Sequence, residues 1–156
     1  YGPLGPKDAS FEDRLFYEMV AFCCVTETLN ASMLLAIHRR VVAPDIKAQV
    51  HAILKDEVNH SRVGWAYLQY RCEQGDIAQL TDWLPNMFHG AGIEEVYSPD
   101  SGGRDTEVMA DYGELSLKMR TDIFEAAVRD VIFPGLERVG VDTRPSQMWL
   151  ETFQTQ

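Results

Sequence analysis

Lys55-Asp56-Glu57-Val58-Asn59-His60-Ser61-Arg62 is the stretch on which the reading of this chain turns. It lies in a run from Asp45 to Val63 that has neither Gly nor Pro. Its apolar neighbours Ile46, Val50, Ile53, Leu54, Val58, Trp65 and Leu68 recur, with Ser61, at three- and four-residue steps, as one face of a helix requires. The pattern predicts a helix that ends near Glu73, with Gly75 closing it. Within it, Glu57 and His60 project from nearly the same face about one turn apart, so both side chains can reach a single metal ion.

Working outward, Ala43-Pro44-Asp45 makes a short break, with Pro44 ending the preceding helix and Asp45 able to cap the next. Upstream, Ser10 can cap a helix of about 30 residues reaching Val42. Glu12 and Asp13 sit in its first turn and Arg39-Arg40 near its end, both signs favourable to the helix dipole. Leu15, Phe16, Met19, Phe22, Cys23, Thr26, Leu29, Met33 and Ile37 form its stripe. So short a link makes the two helices antiparallel. Glu57 follows Pro44 by about 13 residues and Glu27 precedes it by about 17, which sets the two acids within a turn or so of level. Glu27 is embedded among Val25, Leu29 and Met33. A carboxylate buried there without a cation would cost several kcal/mol, a difficulty that metal coordination would remove.

The rest of the chain is less regular. An amphipathic piece from Ile77 to Leu84 is expected to stop at Pro85, and Gly90, Gly92, Pro99, Gly102 and Gly103 then break up a crossover covering about 77 to 104. A further helix is expected from Asp105 or Met109 to Arg138, kinked at Pro134-Gly135, before a tail in which Trp149, Leu150 and Phe153 dock on the bundle. With no period-two pattern anywhere, the expectation is a single all-α domain over 1–156, built on a core hairpin at about 10–74.

A net charge of -10 and a pI near 4.7 argue against nucleic acid or an anionic membrane surface as partner. No apolar run is found to approach the roughly 20 residues of a bilayer span, and the start, Tyr1-Gly-Pro-Leu-Gly-Pro, lacks the features of a signal peptide. The chain therefore reads as cytoplasmic, and its opening predicts a longer protein with an upstream portion. Cys23, Cys24 and Cys72 offer neither a zinc spacing nor an even disulfide set and are expected to be packing residues. His38, His51 and His89 have no acid at ligand spacing on their own face and read as surface or capping residues.

Glu-x-x-His is the unit that, contributed by two helices and joined by one Glu from each of two others, holds the metals of di-iron and di-manganese carboxylate bundles. Thr26-Glu27-Thr28-Leu29 followed by Lys55-Asp56-Glu57-Val58-Asn59-His60-Ser61-Arg62 and Trp65 resembles the second helix pair of ferritin-like proteins. The resemblance is best from about residue 11 to 74, and Val131-Ile132-Phe133-Pro134-Gly135-Leu136-Glu137 is similar to the extra helix that follows in some bacterial members. It implies a ferritin-like helical bundle, of which this chain is an incomplete half, with Glu27, Glu57 and His60 as metal ligands. It also implies that Asp56 holds the non-ligating nitrogen of a His on another Glu-x-x-His helix. The cofactor implied is iron, two ions if another helix pair completes the site, or manganese. The implied function is a non-haem oxidoreductase activating dioxygen or peroxide for a small-molecule substrate. Only Glu57 has a His three residues on, where a complete site has two such units. The missing pair is therefore expected from a second copy or an N-terminal helix pair, and the alternative is a non-catalytic helical partner module without a complete site.

Overall fold

The computed structural model describes residues 5–75, 77–91, 93–99, 109 and 111–154; among them the backbone is helical with no strand. Helix α1, Phe11–Arg40, is 30 residues long. The Ser10 hydroxyl accepts from the Asp13 N–H at 3.1 Å to start it, as the capping pattern anticipates. From Val20 to Thr26 the helix widens into π turns before returning to α geometry at Glu27. Helix α2, Pro44–Glu73, follows after a three-residue link. Pro44 occupies its first turn, and Ala43, not Asp45, stands at the cap position. Proline suits that place because its fixed φ is already helical and its missing N–H would have had no partner. Gly75, at φ +80°, turns the chain away at the far end.

Helix α3, Leu80–Gly90, runs through Pro85, where the sequence predicts a stop. Its Leu80, Leu84, Met87 and Phe88 are almost wholly buried. Fully burying such side chains stabilises by roughly 1.5–3 kcal/mol each, which outweighs the roughly 3 kcal/mol that an interior proline costs. A single turn, α4, Ile93–Val96, follows. Helix α5, Leu117–Ala127, begins at a Ser116 cap, and π turns over Val128–Ile132 carry it into α6, Phe133–Arg138. The helix expected from Asp105 or Met109 is not continuous: Asp105 lies outside the described residues, and residues 111–116 are non-helical, with Gly113 at φ +100°, so the helix begins only at Leu117. The π turns lie just ahead of Pro134-Gly135, where the sequence predicts a kink, and α6 runs through that pair. Helix α7, Arg144–Gln154, docks as the tail was expected to: Leu150 is buried and Trp149 stacks on Phe88 at a centroid distance of 6.2 Å, while the side chain of Phe153 lies outside the described residues.

Helix α1 is the central member. It packs along α2, touches α3 through its π segment and meets α5 through its second half. Phe16, Val20, Cys24 and Val25 of α1 join Phe124, Ile132 and Leu136 in one core. By contrast, α2 buries only Gly64 and Leu68, and Ile53, Val63 and Tyr70 stand exposed along it. The hairpin is thus covered on one flank and open on the other. The expectation on membrane spans needs correcting at α1: Glu27 is the only charged residue between Val20 and Ile37, and an 18-residue window of the helix reaches a mean hydropathy of 1.7. Scattered Thr, Asn and Ser conceal the run from inspection. Only 28% of that window is buried within the chain, so α1 carries an apolar face still lacking cover.

Candidate metal centre

Glu27 comes from the middle of α1, and Glu57 and His60 from the middle of α2, where the antiparallel pairing through the short 41–43 link brings them level. His60 Nδ1 lies 3.6 Å from Glu57 Oε2 and 3.8 Å from Glu27 Oε1. One ligand atom from each of the three falls within 4.8 Å of the others. The two His60 distances are too long for hydrogen bonds and close to the ligand-to-ligand edge of about 3.4 Å expected when nitrogen and oxygen donors surround a transition metal tetrahedrally at about 2.1 Å, whereas a pair as far apart as 4.8 Å would have to draw in to share one ion. Among the described residues no other group of three His, Cys, Asp or Glu side chains converges in this way.

The acids are the more buried members. The side chains of Glu27 and Glu57 retain 21% and 20% of their surface, and one oxygen of each, Oε2, is shut away from solvent without a hydrogen-bond partner. His60 keeps 59% and forms the open edge of the site. Burial first, and then the adjacent Glu57 carboxyl, push Glu27 up to about 7, with His60 and Asn30 pulling it partly back. Two acids facing each other in a half-dry seam, with orphaned oxygens, form a place where a cation would relieve both repulsion and desolvation.

The surroundings hold this geometry from two sides. The hydroxyls of Thr28 and Ser61, each next in sequence to a ligand, are 2.8 Å apart, and the Trp65 indole N–H donates to Thr28 Oγ1 at 3.3 Å. The Trp65 ring lies over Gly135, where a Cβ would come within 2.7 Å of it. Asp56 is exposed and makes no hydrogen bond or ion pair among the described residues, which hold no second Glu-x-x-His histidine for it to meet. His38 and His51 meet each other, with ring centroids 5.4 Å apart, and neither belongs to the Glu27–Glu57–His60 group. Alongside the Thr28–Ser61 pair, a groove of about 440 Å³ is lined by Leu35, Leu54, Val58, Trp65 and Val131 with Arg62.

Sequence reasoning missed the π turn and Gly64. The Glu27 N–H bonds to the carbonyl of Phe22, five residues back, so Glu27 is itself the residue that closes the π segment. The Thr26 hydroxyl donates to the Ala21 carbonyl, also five back, at 3.0 Å. No residue type announces a π turn, although such turns gather at functional sites. Gly64 did give a signal: a glycine in mid-helix costs about 1 kcal/mol against alanine, so its presence asks for a packing reason. Neither a family model, nor a curated protein, nor a solved structure matches this chain.

Proposed function

We propose that this chain is one helix pair of a ferritin-like carboxylate metal protein, in which Glu27, Glu57 and His60 bind iron or manganese and a second helix pair supplies the remaining ligands. The observation that carries the reading is the convergence of two partly buried, partly unpaired carboxylates and one imidazole from two helices to within 4.8 Å of one another. The donor set fits the group: hard carboxylate oxygens beside a borderline nitrogen suit iron and manganese better than a thiolate-preferring metal. The half-count of ligands and the open flank bearing Ile53, Val63 and Tyr70 agree with a partner pair seated there.

Bound iron would supply redox chemistry toward dioxygen or a peroxide. The chain's own contribution is to place two carboxyl groups and an imidazole at fixed height, and to hold them through the Thr28–Ser61–Trp65 hydrogen bonds. The apolar groove beside that network, with Arg62 at its wall, is the place for a small organic substrate. The other reading, a partner module without a complete site, draws on the exposure of His60, since a ligand left 59% open is also what a surface histidine looks like.

Metal analysis decides between them. Protein reconstituted anaerobically with Fe(II), or with Mn(II), should retain close to two metal ions per assembled bundle after desalting. Retention of none by a folded, reconstituted sample would leave only the partner-module reading.

A further inference from the structure

We propose that Gly64 is a positioning residue for the Glu27–Glu57–His60 set: it forms the socket that receives the π turn of α1 at Cys23, and the seated turn aims Glu27 at its two co-ligands. The inference rests on the metal-site reading for its meaning, but its geometry stands without the metal.

Gly64 is buried in α2, one turn beyond His60, and Cys23 lies one turn before Glu27. A Cβ at position 64 would come within 2.4 Å of Cys23 Cβ, 2.7 Å of its carbonyl carbon and 3.0 Å of its carbonyl oxygen. The space above Gly64 is therefore filled by the backbone of the π segment as well as by a side chain, and backbone cannot swing aside. Ordinary non-bonded carbon separations are about 3.5–4.0 Å, so an added methyl would force the helices apart by about 1 Å or expel the bulge. Each extra residue in a helical turn rotates the remainder of the helix by about 100°, so Glu27, which closes the π segment through its bond to Phe22, owes its direction to that bulge. Either response would open a ligand set whose separations of 3.6 and 3.8 Å leave little slack for donors about 2.0–2.2 Å from one ion. Positioning is thus separable from fold: the hairpin can persist with its acids no longer facing each other.

The test compares the parent with Gly64→Ala, Thr26→Val and Leu68→Ala. Thr26→Val removes the hydroxyl bond to the Ala21 carbonyl that supports the π turn, without adding bulk near α2. Leu68→Ala cuts a cavity in the core one turn beyond Gly64 and serves as the destabilised control. Two readouts are taken on each: Co(II) affinity by titration of the visible d–d bands, and, without metal, the nuclear Overhauser contact between the Glu27 side chain and the His60 ring. Gly64→Ala should weaken Co(II) binding by about ten-fold or more and lose the contact while keeping helical circular dichroism. Thr26→Val should move both readouts the same way by less, and Leu68→Ala should keep the contact. Retention by Gly64→Ala of the contact and of affinity within two-fold would overturn the proposal, as would loss of the contact in Leu68→Ala alone. Should Gly64→Ala fail to fold, an unchanged contact and affinity in Thr26→Val would overturn it instead. A parent that binds no Co(II), yet shows the same pattern of contacts across the variants, would sink the metal reading and leave the positioning role standing.

Discussion

Replacing Glu27 by Gln should stabilise the metal-free protein while removing its response to metal, and the two effects have opposite signs for a physical reason. In the metal-free chain Glu27 is pushed up from 4.5 to about 7, mainly by burial and then by Glu57. Between those pH values the folded state holds more protons than the unfolded state, so stability falls as pH rises from 4.5 to 7 and is level above. In a fully dry site the penalty above pH 7 would be roughly 3 kcal/mol, at 1.36 kcal/mol per tenfold. With 21% of the side chain exposed, solvent screening lowers it to about 1–2 kcal/mol. Glutamine carries no charge and its amide can donate to the orphaned Glu57 Oε2. For a chain of 156 residues, Glu27→Gln should raise Tm by about 2–8 °C at pH 8 and change it little at pH 5, where Glu27 is already protonated. Metal at 100 times its Kd should add about 2.7 kcal/mol to the parent and close to nothing to the variant. Thermal unfolding by circular dichroism at the two pH values, with and without Mn(II), reads all four numbers. A lower Tm for Glu27→Gln at pH 8 without metal would refute the reasoning, because it would make the carboxylate a structural asset.

The same geometry sets three further outcomes. His60→Ala should lower metal occupancy far more than His38→Ala, since only His60 faces two acids; equal occupancy by elemental analysis would mark His60 as a structural histidine. Metal affinity should climb between about pH 6 and pH 8 and then level off, as the proton on Glu27 ceases to compete, and a pH-independent Kd by titration calorimetry would remove Glu27 from the ligand set. Sedimentation with intact-mass analysis should find a second helix pair, as a second copy or as a companion segment, and chelation should loosen it; a monodisperse species of 17.7 kDa in the presence of metal would contradict the completed bundle.

Much of this could be read from the chain because it depends on local rules. The hairpin follows from two helical stripes and one proline. The level placement of Glu27 and Glu57 follows from counting residues on either side of Pro44, and the Ser10 cap from side-chain chemistry. The features that escaped reading depend on tertiary balance. Helix α3 continues through Pro85 because four apolar side chains are buried by elements distant in sequence, a gain invisible to a rule about proline. The π segment is a compromise between α1's own hydrogen bonds and its fit over Gly64, and a single-helix pattern contains only one side of that compromise. The apolar length of α1 escapes the eye for a simpler reason, that scattered hydroxyl and amide residues and one acid break the run without lowering the average much.

These features also constrain one another. Bringing a second pair of acids to an open half-site, on a chain of net charge -10, would set four carboxylates in one seam, and like charges in a partly dry medium repel strongly. The apolar face around them pulls the other way: α1 and α2 leave Phe22, Leu35, Ile53, Val63 and Tyr70 uncovered, enough to favour association wherever the charges allow it. Divalent cations reverse the sign of the electrostatic part without touching the apolar part. If a second helix pair completes the proposed site, its acids would oppose assembly without metal and a bound cation would license it, so Glu27 and Glu57 would decide when the hydrophobic surfaces meet as well as what is held between them.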